Sequence, residues 1–246
     1  MVLEKHTFTF EGKPCEMWVR PGTKDTKVIK EVLEDRTYRQ SRIKFDVRPD
    51  EVWYDLGAHI GCFSRYALLM GATVTAWEPD AENYEVLFRN LHDGIKSGRA
   101  KTIKGVVTGY KNRTMKLYGP SRKVDGVLPN TKFMVDGMPS YVAVGEVNNY
   151  NFNPSLLHGV TGIKMDIEGS EAGILDNLPK LPACVTKLVL EYHFIKDRNM
   201  ARFRSRMDAL RKQFPTVHYP KHLDRFIKEG LIDYPGYFDR LVFCKR

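Results

Sequence analysis

Two short stretches, 23 residues apart, constrain this chain most. The first, Asp55-Leu56-Gly57-Ala58-His59-Ile60-Gly61, follows an apolar run, Val52-Trp53-Tyr54, that reads as a buried strand. The second, Glu78-Pro79, closes the run Thr73-Val74-Thr75-Ala76-Trp77. Between them an apolar helix begins at Gly61. Glycines in such a turn let the backbone come close to a ligand, and a carboxylate ending the second strand is placed to accept both hydroxyls of a ribose.

The spacing separates two nucleoside cofactors. A dinucleotide fingerprint carries three glycines, G-x-G-x-x-G, so that a helix N-terminus meets a pyrophosphate. Here an acid precedes G-x-x-x-G. An acid repels a phosphate and suits an ammonium group. S-adenosylmethionine has an ammonium group, a ribose diol and no phosphate, so the pattern favours it over NAD. The expected cofactor contacts are Asp55, Gly57, Ala58, His59, Gly61, Cys62, Glu78 and Pro79, joined by Val107 and Asp166. Cys62 beside the turn reads first as a small buried hydrophobe and second as a lining of the pocket, and the whole turn has a plainer reading as an ordinary strand-turn-helix with helix-capping glycines.

Along the chain, residues 6 to 20 alternate around Glu11-Gly12-Lys13 as a hairpin, and a helix over 24–35 would lid the cofactor end. Strand 52–56, helix 61–71, strand 73–78, helix 80–92, strands 101–107 and 161–167, helix 169–178, strand 186–193 and helix 199–214 give the order of a doubly wound α/β sheet. Ligands in such sheets gather at the carboxyl ends of the strands, where Asp55, Glu78, Asp166, Glu191 and His193 fall. Val217-His218-Tyr219 and Tyr237–Cys244 read as a closing antiparallel pair, with Tyr234-Pro235-Gly236 as a turn. Gly119-Pro120, Gly126, Pro129, Gly137 and Pro139 break up an insertion, 112–158, with short strands at 114–118 and 141–147; it is the candidate acceptor loop, or else a surface decoration. The expected organisation is one domain, with residues 1–48 as hairpin and lid and 49–246 as the cofactor-binding core.

Further motifs follow in order: Arg20-Pro21-Gly22-Thr23-Lys24-Asp25 leading to Tyr38, then Lys164-Met165-Asp166-Ile167-Glu168-Gly169-Ser170-Glu171, then a strand ending Glu191-Tyr192-His193. With D-x-G-A-x-x-G, E-P, K-x-D-x-E-G-x-E and E-x-H in this order, the chain resembles the FkbM family of class I S-adenosylmethionine-dependent O-methyltransferases over residues 18 to 195. The resemblance implies a Rossmann-like class I sheet and methylation of hydroxyl groups on sugars or polyketides, hence a carbohydrate or glycoconjugate acceptor. The chain departs from the family at Val144-Gly145-Glu146-Val147-Asn148-Asn149-Tyr150, where a short strand leading into T-L-D is usual.

A sugar hydroxyl is a poor nucleophile until its proton can leave, and a positioned base contributes ~10²–10⁴-fold. The two-residue period of Lys187–His193 puts Glu191 and His193 on one face, opposite Leu188, Leu190 and Tyr192. The catalytic candidates are therefore Asp166, Glu168, Glu191 and His193, with His193 or Asp166 as the base. Glu171 in a first helical turn reads as a cap, and Lys164 shares the strand face of Asp166. Mg²⁺ on Asp166 and Glu168 is a less favoured option, since two acids are a thin metal site. The runner-up is an RNA 2′-O-methyltransferase with Lys27 or Lys30, Asp166, Lys187 and Glu191 as a Lys-Asp-Lys-Glu set, although Lys187 and Glu191 stand close together in one strand. No N-P-P-Y occurs, and no Pro-Cys nucleophile for cytosine carbon chemistry is read, since the Pro14-Cys15 pair lies in the N-terminal hairpin ahead of the cofactor motifs. A degenerate fold acting as a binding module is disfavoured by two intact cofactor motifs.

The net charge of +9 attracts anions, whether nucleic acid, anionic glycan or a sugar phosphate carrier. The concentration Arg202, Arg204, Arg206, Arg211 and Lys212 reads first as the solvated face of an amphipathic helix. Cys15, Cys62, Cys184 and Cys244 lie far apart with no zinc-ligand spacing. No run of about 18 apolar residues and no apolar leader occurs. A cytoplasmic location is expected.

Overall fold

The computed structural model describes residues 1–120, 141–194, 199–228 and 239–246. The alternation of apolar side chains dictates a three-layer arrangement. Along β3 (Val52–Leu56), Trp53 joins one hydrophobic core while Val52, Tyr54 and Leu56 join another. β4 (Thr73–Glu78) divides Val74 and Ala76 from Trp77 in the same way. β10 (Lys187–His193) divides Val189 from Leu188, Leu190 and Tyr192, and β12 (Asp239–Lys245) divides Phe243 from Val242 and Cys244. Opposite faces of successive residues thus give one sheet with a core on each side.

With β5 (Ala100–Lys104), β9 (Gly162–Met165) and β11 (Thr216–His218), the strand order is β11-β12-β10-β9-β3-β4-β5. The run from β10 to β5 is parallel, and β12 is antiparallel to both β10 and β11. The chain winds outwards from β3 to β5, then returns to β9 and winds the other way, so the switch point lies between β3 and β9. That is where open α/β sheets hold ligands. The doubly wound sheet and the closing antiparallel pair are as the sequence suggests; the turn at Tyr234-Pro235-Gly236 lies outside the described residues.

The core containing Trp53 is shared by α2 (Cys62–Leu69), α3 (Ala81–Asn90) and the N-terminal segment: the hairpin β1 (Glu4–Phe10) and β2 (Lys13–Val19), and the helix α1 (Asp25–Ile29). The expected single helix over 24–35 changes after Ile29 into a π-helical turn, Lys30–Glu34, which leaves Ile29, Val32 and Leu33 all buried. The helix expected over 80–92 ends at Asn90 and a separate turn, α4 (His92–Lys96), follows. The other core is covered by α5 (Glu171–Asp176) and α6 (Met200–Arg211), with α7 (His222–Lys228) alongside α6, a helix with no clear signal in the sequence. In α6, Arg206 is buried against Asp176 and Tyr192, so it leaves the solvated face assigned to it.

The expected strand 101–107 is two strands. Gly105, at φ 154°, turns the chain out of β5 into β6 (Val106–Thr108), and a Cβ there would lie 2.7 Å from the Tyr150 ring. β6 pairs parallel with β8 (Tyr141–Asn151), which pairs antiparallel with β7 (Thr114–Pro120). The insertion is therefore a small sheet of its own, with Tyr110, Val144 and Tyr150 exposed. Gly126, Pro129, Gly137 and Pro139 lie outside the described residues.

The hairpin is tied to the core through one buried amide. Asn90 accepts from the Trp18 N–H at 2.7 Å and donates to the carbonyls of Trp18 at 3.1 Å and Ile60 at 2.8 Å. Asn90→Ala leaves these backbone groups unsatisfied and is expected to cost ~2–4 kcal/mol, read as a lowered urea midpoint with unchanged slope. A change below ~0.5 kcal/mol would mean that the hairpin is not docked through this residue.

Candidate active site

β3 ends at Leu56, and the turn that follows is held by the neighbouring strand: the N–H groups of Gly57 and Ala58 both donate to the Trp77 carbonyl, at 3.0 and 2.8 Å. Gly57 (φ 81°) is required here, because a Cβ would stand 1.7 Å from the Asp166 carbonyl oxygen at the end of β9. The close approach that demands glycine at position 57 is thus to a neighbouring strand. Gly61 (φ 92°) caps α2 in the left-handed region with Leu87 beneath it. Ala58 and Cys62 are buried, and burial in an apolar surrounding pushes the Cys62 thiol pKa far up, so it is the small hydrophobe of the first reading.

Asp55 lies within β3, just ahead of the turn, with its Oδ1 buried and without a hydrogen-bond partner. It is fully buried, accepts a 2.6 Å hydrogen bond from the Ser64 hydroxyl, and faces Lys164 Nζ at 3.2 Å. The two are register partners across β3 and β9. Lys164 also donates to the Gly57 carbonyl at 2.7 Å and approaches Asp166 at 3.5 Å. Burial acts to lower the lysine pKa, but Asp55 and Asp166 outweigh it and raise it. The counter-ion of Asp55 is this lysine, so an incoming ammonium group would compete with it.

Glu78 ends β4. Oε2 accepts from the His59 N–H at 2.8 Å, and Oε1 from the Asp80 N–H at 2.9 Å and Asn83 Nδ2 at 3.3 Å. Among the described residues no cation pairs with it, and burial pushes its pKa up to about 7. Carboxylate oxygens carry further lone pairs. Beside it the Asn83 Oδ1 is buried without a partner. A buried carboxylate without a cation, next to an unused carbonyl, is an acceptor set for hydroxyl and amino donors, and the ribose diol of S-adenosylmethionine fits it. Pro79 is half-buried between Glu78 and Asp80, whose side chain caps α3 through the Asn83 N–H at 3.0 Å. Val107 in β6 is buried in the core shared with Leu56 and Trp77.

His59 (φ 52°) is fastened from the N-terminal segment. Arg20 makes a paired salt bridge to the fully buried Asp25, Nε and Nη2 donating at 2.9 and 2.8 Å, and the same Nη2 stands 3.4 Å from His59 Nε2. Burial first, and Arg20 second, pull the His59 pKa down to about 4 against the pull of Asp25, so the ring is neutral. The Arg20 and Asp25 parts were not read from the sequence as partners of the turn; their five-residue spacing in R-P-G-T-K-D is the signal that was present. Tyr38 from the same segment is buried with its ring 5.9 Å from Lys164 Nζ.

Asp166, Glu168, Glu191 and His193 do come together, with Glu171 at their centre. Glu171 accepts from the N–H groups of Ile167 and Gly169, both at 2.9 Å, and from His193 Nδ1 at 3.0 Å. It fixes the loop in which Glu168 (φ 51°) and Gly169 (φ 94°) are both left-handed. His193 Nε2 faces Glu168 at 3.3 Å and Asp166 at 3.9 Å. Burial works against the imidazolium, but Glu171, Glu168 and Asp166 hold the ring pKa well above its ordinary value. The direction of this shift favours the imidazolium form of His193. Both ring nitrogens point at carboxylates, so the ring in this state offers no lone pair to a metal, although Asp166, Glu171 and His193, and likewise Glu191, His193 and Asp239, are grouped closely enough for one.

The acids divide. Burial raises Glu191 to about 10 with help from Asp166, and Glu168 to about 8 with help from Asp166 and Glu171. Asp166 is held below the usual range, since Lys164, His193 and a hydrogen bond with Glu191 overcome its burial. The Lys-Asp-Lys-Glu set is not assembled: Lys187 is at the opposite end of β10 from His193, bonded to Asp46 and Glu51. Lys27 and Lys30 pair on the surface with Glu31 and Asp35.

Among curated protein sequences none matches this chain. Solved structures of similar shape include M. jannaschii TYW2 in complex with AdoMet, 14% identical with a TM-score of 0.48, covering 98% of this chain and 85% of that one. Methyltransferase FkbM from Methylobacillus flagellatus KT is 17% identical with a TM-score of 0.44, covering 81% of this chain and 44% of that one. Precorrin-6y C5,15-methyltransferase from Geobacter metallireducens GS-15 is 12% identical with a TM-score of 0.43, covering 87% and 89%. The sequence model of the methyltransferase FkbM domain matches residues 55–230, from the acid of the first turn to beyond the β10 strand; the chain belongs to the FkbM methyltransferase family, and its cofactor is S-adenosylmethionine.

Proposed function

We propose that this methyltransferase transfers its methyl group to a hydroxyl oxygen of a saccharide or glycoconjugate, in a cytosol, as a single domain. The observation that carries the reading is Glu168. It is the most exposed of the three carboxylates flanking His193, and it sits in the loop at the carboxyl end of β9 with a pKa near 8. A base works best with a pKa close to the operating pH. Asp166, held below the usual carboxylate range, and Glu191, raised to about 10 and hydrogen-bonded to it, are less well matched to that task. The bound cofactor supplies an electrophilic methyl group on a sulfonium. Glu168 accepts the hydroxyl proton as the oxygen attacks, His193 Nε2 steadies the Glu168 carboxylate, and Asp166 contributes a fixed negative charge. Asp55 acts through Lys164 on the turn and is assigned no direct contact; Gly57, Ala58, His59, Gly61, Glu78 and Pro79 form the nucleoside side of the pocket.

Support for a saccharide comes from the family resemblance and from the β6-β8-β7 sheet, whose exposed Tyr110 and Tyr150 offer faces for a sugar ring. Four cysteines without disulfides are in keeping with a reducing compartment, and no described helix is long and apolar enough to cross a membrane. Incubation with labelled cofactor and a panel of glycans, nucleotide sugars and RNA is expected to label a saccharide hydroxyl; label confined to RNA would reverse the reading.

Two further outcomes are expected. Glu168→Gln lowers kcat by ~10²-fold or more and abolishes a limb near pH 8 in the pH–rate profile. The sign is that activity rises with pH through this limb, because the base acts when deprotonated. Near-normal turnover of Glu168→Gln would eliminate it as the base. For Glu78, hydroxyl donors prefer the ionised carboxylate, so cofactor binding draws off a proton from a group with pKa about 7. Affinity should weaken about tenfold between pH 8 and pH 6 as the competent fraction falls. Glu78→Gln should bind more weakly and lose that slope; calorimetry at the two pH values checks both.

A further inference from the structure

A groove of about 430 Å³ opens between the N-terminal hairpin and helices α2 and α3, lined by residues that have no part in the carboxylate cluster. Trp18 and Lys5 face it from the hairpin, Arg65 from α2, and Arg89 and Asn90 from the end of α3. Most charges there are engaged. Lys5 is bonded to Glu16 at 2.7 Å, Arg89 lies 3.5 Å from Glu85, and Asp93 lies 3.5 Å from His92, Glu16 and Asp93 being the two carboxylates of the lining. Arg65 differs: among the described residues nothing hydrogen-bonds or pairs with its guanidinium, and its Nε is buried without a partner. An N–H donor withdrawn from water with no acceptor is destabilising, and more so on a charged group.

We propose that this groove binds a small phosphorylated saccharide, with the phosphoryl group on Arg65 and Arg89 and the sugar ring against Trp18. The guanidinium fork matches phosphoryl oxygens in paired hydrogen bonds. A phosphoryl group has three such oxygens and can span both arginines, whereas the two oxygens of a carboxylate are filled by one fork. The half-buried Trp18 indole, with Lys5 Nζ 5.7 Å from its ring centroid, lines the same groove as an aromatic surface for the sugar. Positive charge over the whole chain draws such an anion in. The site is independent of the reading given to Glu168.

The test is calorimetric titration of the full chain with inorganic phosphate, glucose 1-phosphate and glucose, with and without S-adenosylhomocysteine. Glucose 1-phosphate is expected to bind in both conditions, inorganic phosphate at least ~3-fold more weakly, and glucose without measurable heat. Arg65→Gln should weaken glucose 1-phosphate at least ~10-fold while leaving S-adenosylhomocysteine affinity unchanged, and Trp18→Ala should bring glucose 1-phosphate down to the level of phosphate. Where Arg65→Gln does not fold by circular dichroism, Arg89→Gln replaces it, with a loss of ~3-fold or more expected. No binding of either phosphorylated probe, competition with S-adenosylhomocysteine, or full affinity in the arginine variant overturns the site. Phosphate binding as tightly as glucose 1-phosphate, or an inert Trp18→Ala, overturns the saccharide.

Discussion

The buried pair Lys164 and Asp55 is the interaction on which the rest of this end of the sheet depends. Both side chains are almost wholly withdrawn from water, and they face each other from adjacent residues of β3 and β9. An uncompensated charge left by removing one partner costs about 3–5 kcal/mol, so neither strand can slip against the other. The same ammonium group binds the Gly57 carbonyl and stands beside Asp166. One lysine thereby sets the position of the glycine turn, the end of the switch-point strand and the ionisation of the acid that follows it. Gly57 allows the two strand ends to meet at a distance no side chain would tolerate, and Glu78 takes up the far side of the turn through the His59 N–H.

Beyond Lys164 the charges are ordered by who neutralises whom. Glu171, buried, accepts from two backbone N–H groups and holds one edge of His193. That in turn favours the imidazolium form. His193 is shared among Glu171, Glu168 and Asp166 while Lys164 faces Asp55 and Asp166, so the cations only partly offset the burial that raises Glu168 and Glu191. The difference between them follows from access. Glu191 is held within β10 next to Asp166, while Glu168 stands on the loop, where a left-handed residue brings its carboxylate outwards.

What the sequence made legible was what short-range pattern encodes. Two-residue alternation in Val52–Leu56 and Lys187–His193, and apolar helices between them, were enough to predict the doubly wound order and to put Asp166, Glu191 and His193 at one end. The closing pair β11 and β12 was equally local. Partners distant along the chain were hidden. Lys164 lies 109 residues from Asp55, and nothing local says that the acid of the turn faces inwards to a lysine. Glu171 read as a helix cap because its two backbone bonds are local, while the bond to His193 depends on how β10 packs. The break at Gly105 went unread because a glycine within an apolar run has no fixed meaning until Tyr150 is seen beside it.

The basic character of the chain and the acidic character of its reacting end belong together. The positive charges are spread over outer surfaces, with Lys27, Lys30, Lys5 and Arg89 each in solvent-exposed pairs, whereas Asp166, Glu168, Glu171 and Glu191 converge at the ends of β9 and β10. An acceptor flanked by phosphates close to its reacting hydroxyl would bring negative charge onto that cluster and be repelled over distances shorter than the Debye length of ~8 Å. A phosphoryl group carried farther away meets the opposite field. Under the proposed reading, a neutral polyhydroxyl portion of the acceptor would meet the carboxylates and an anionic portion the arginines of the outer surface.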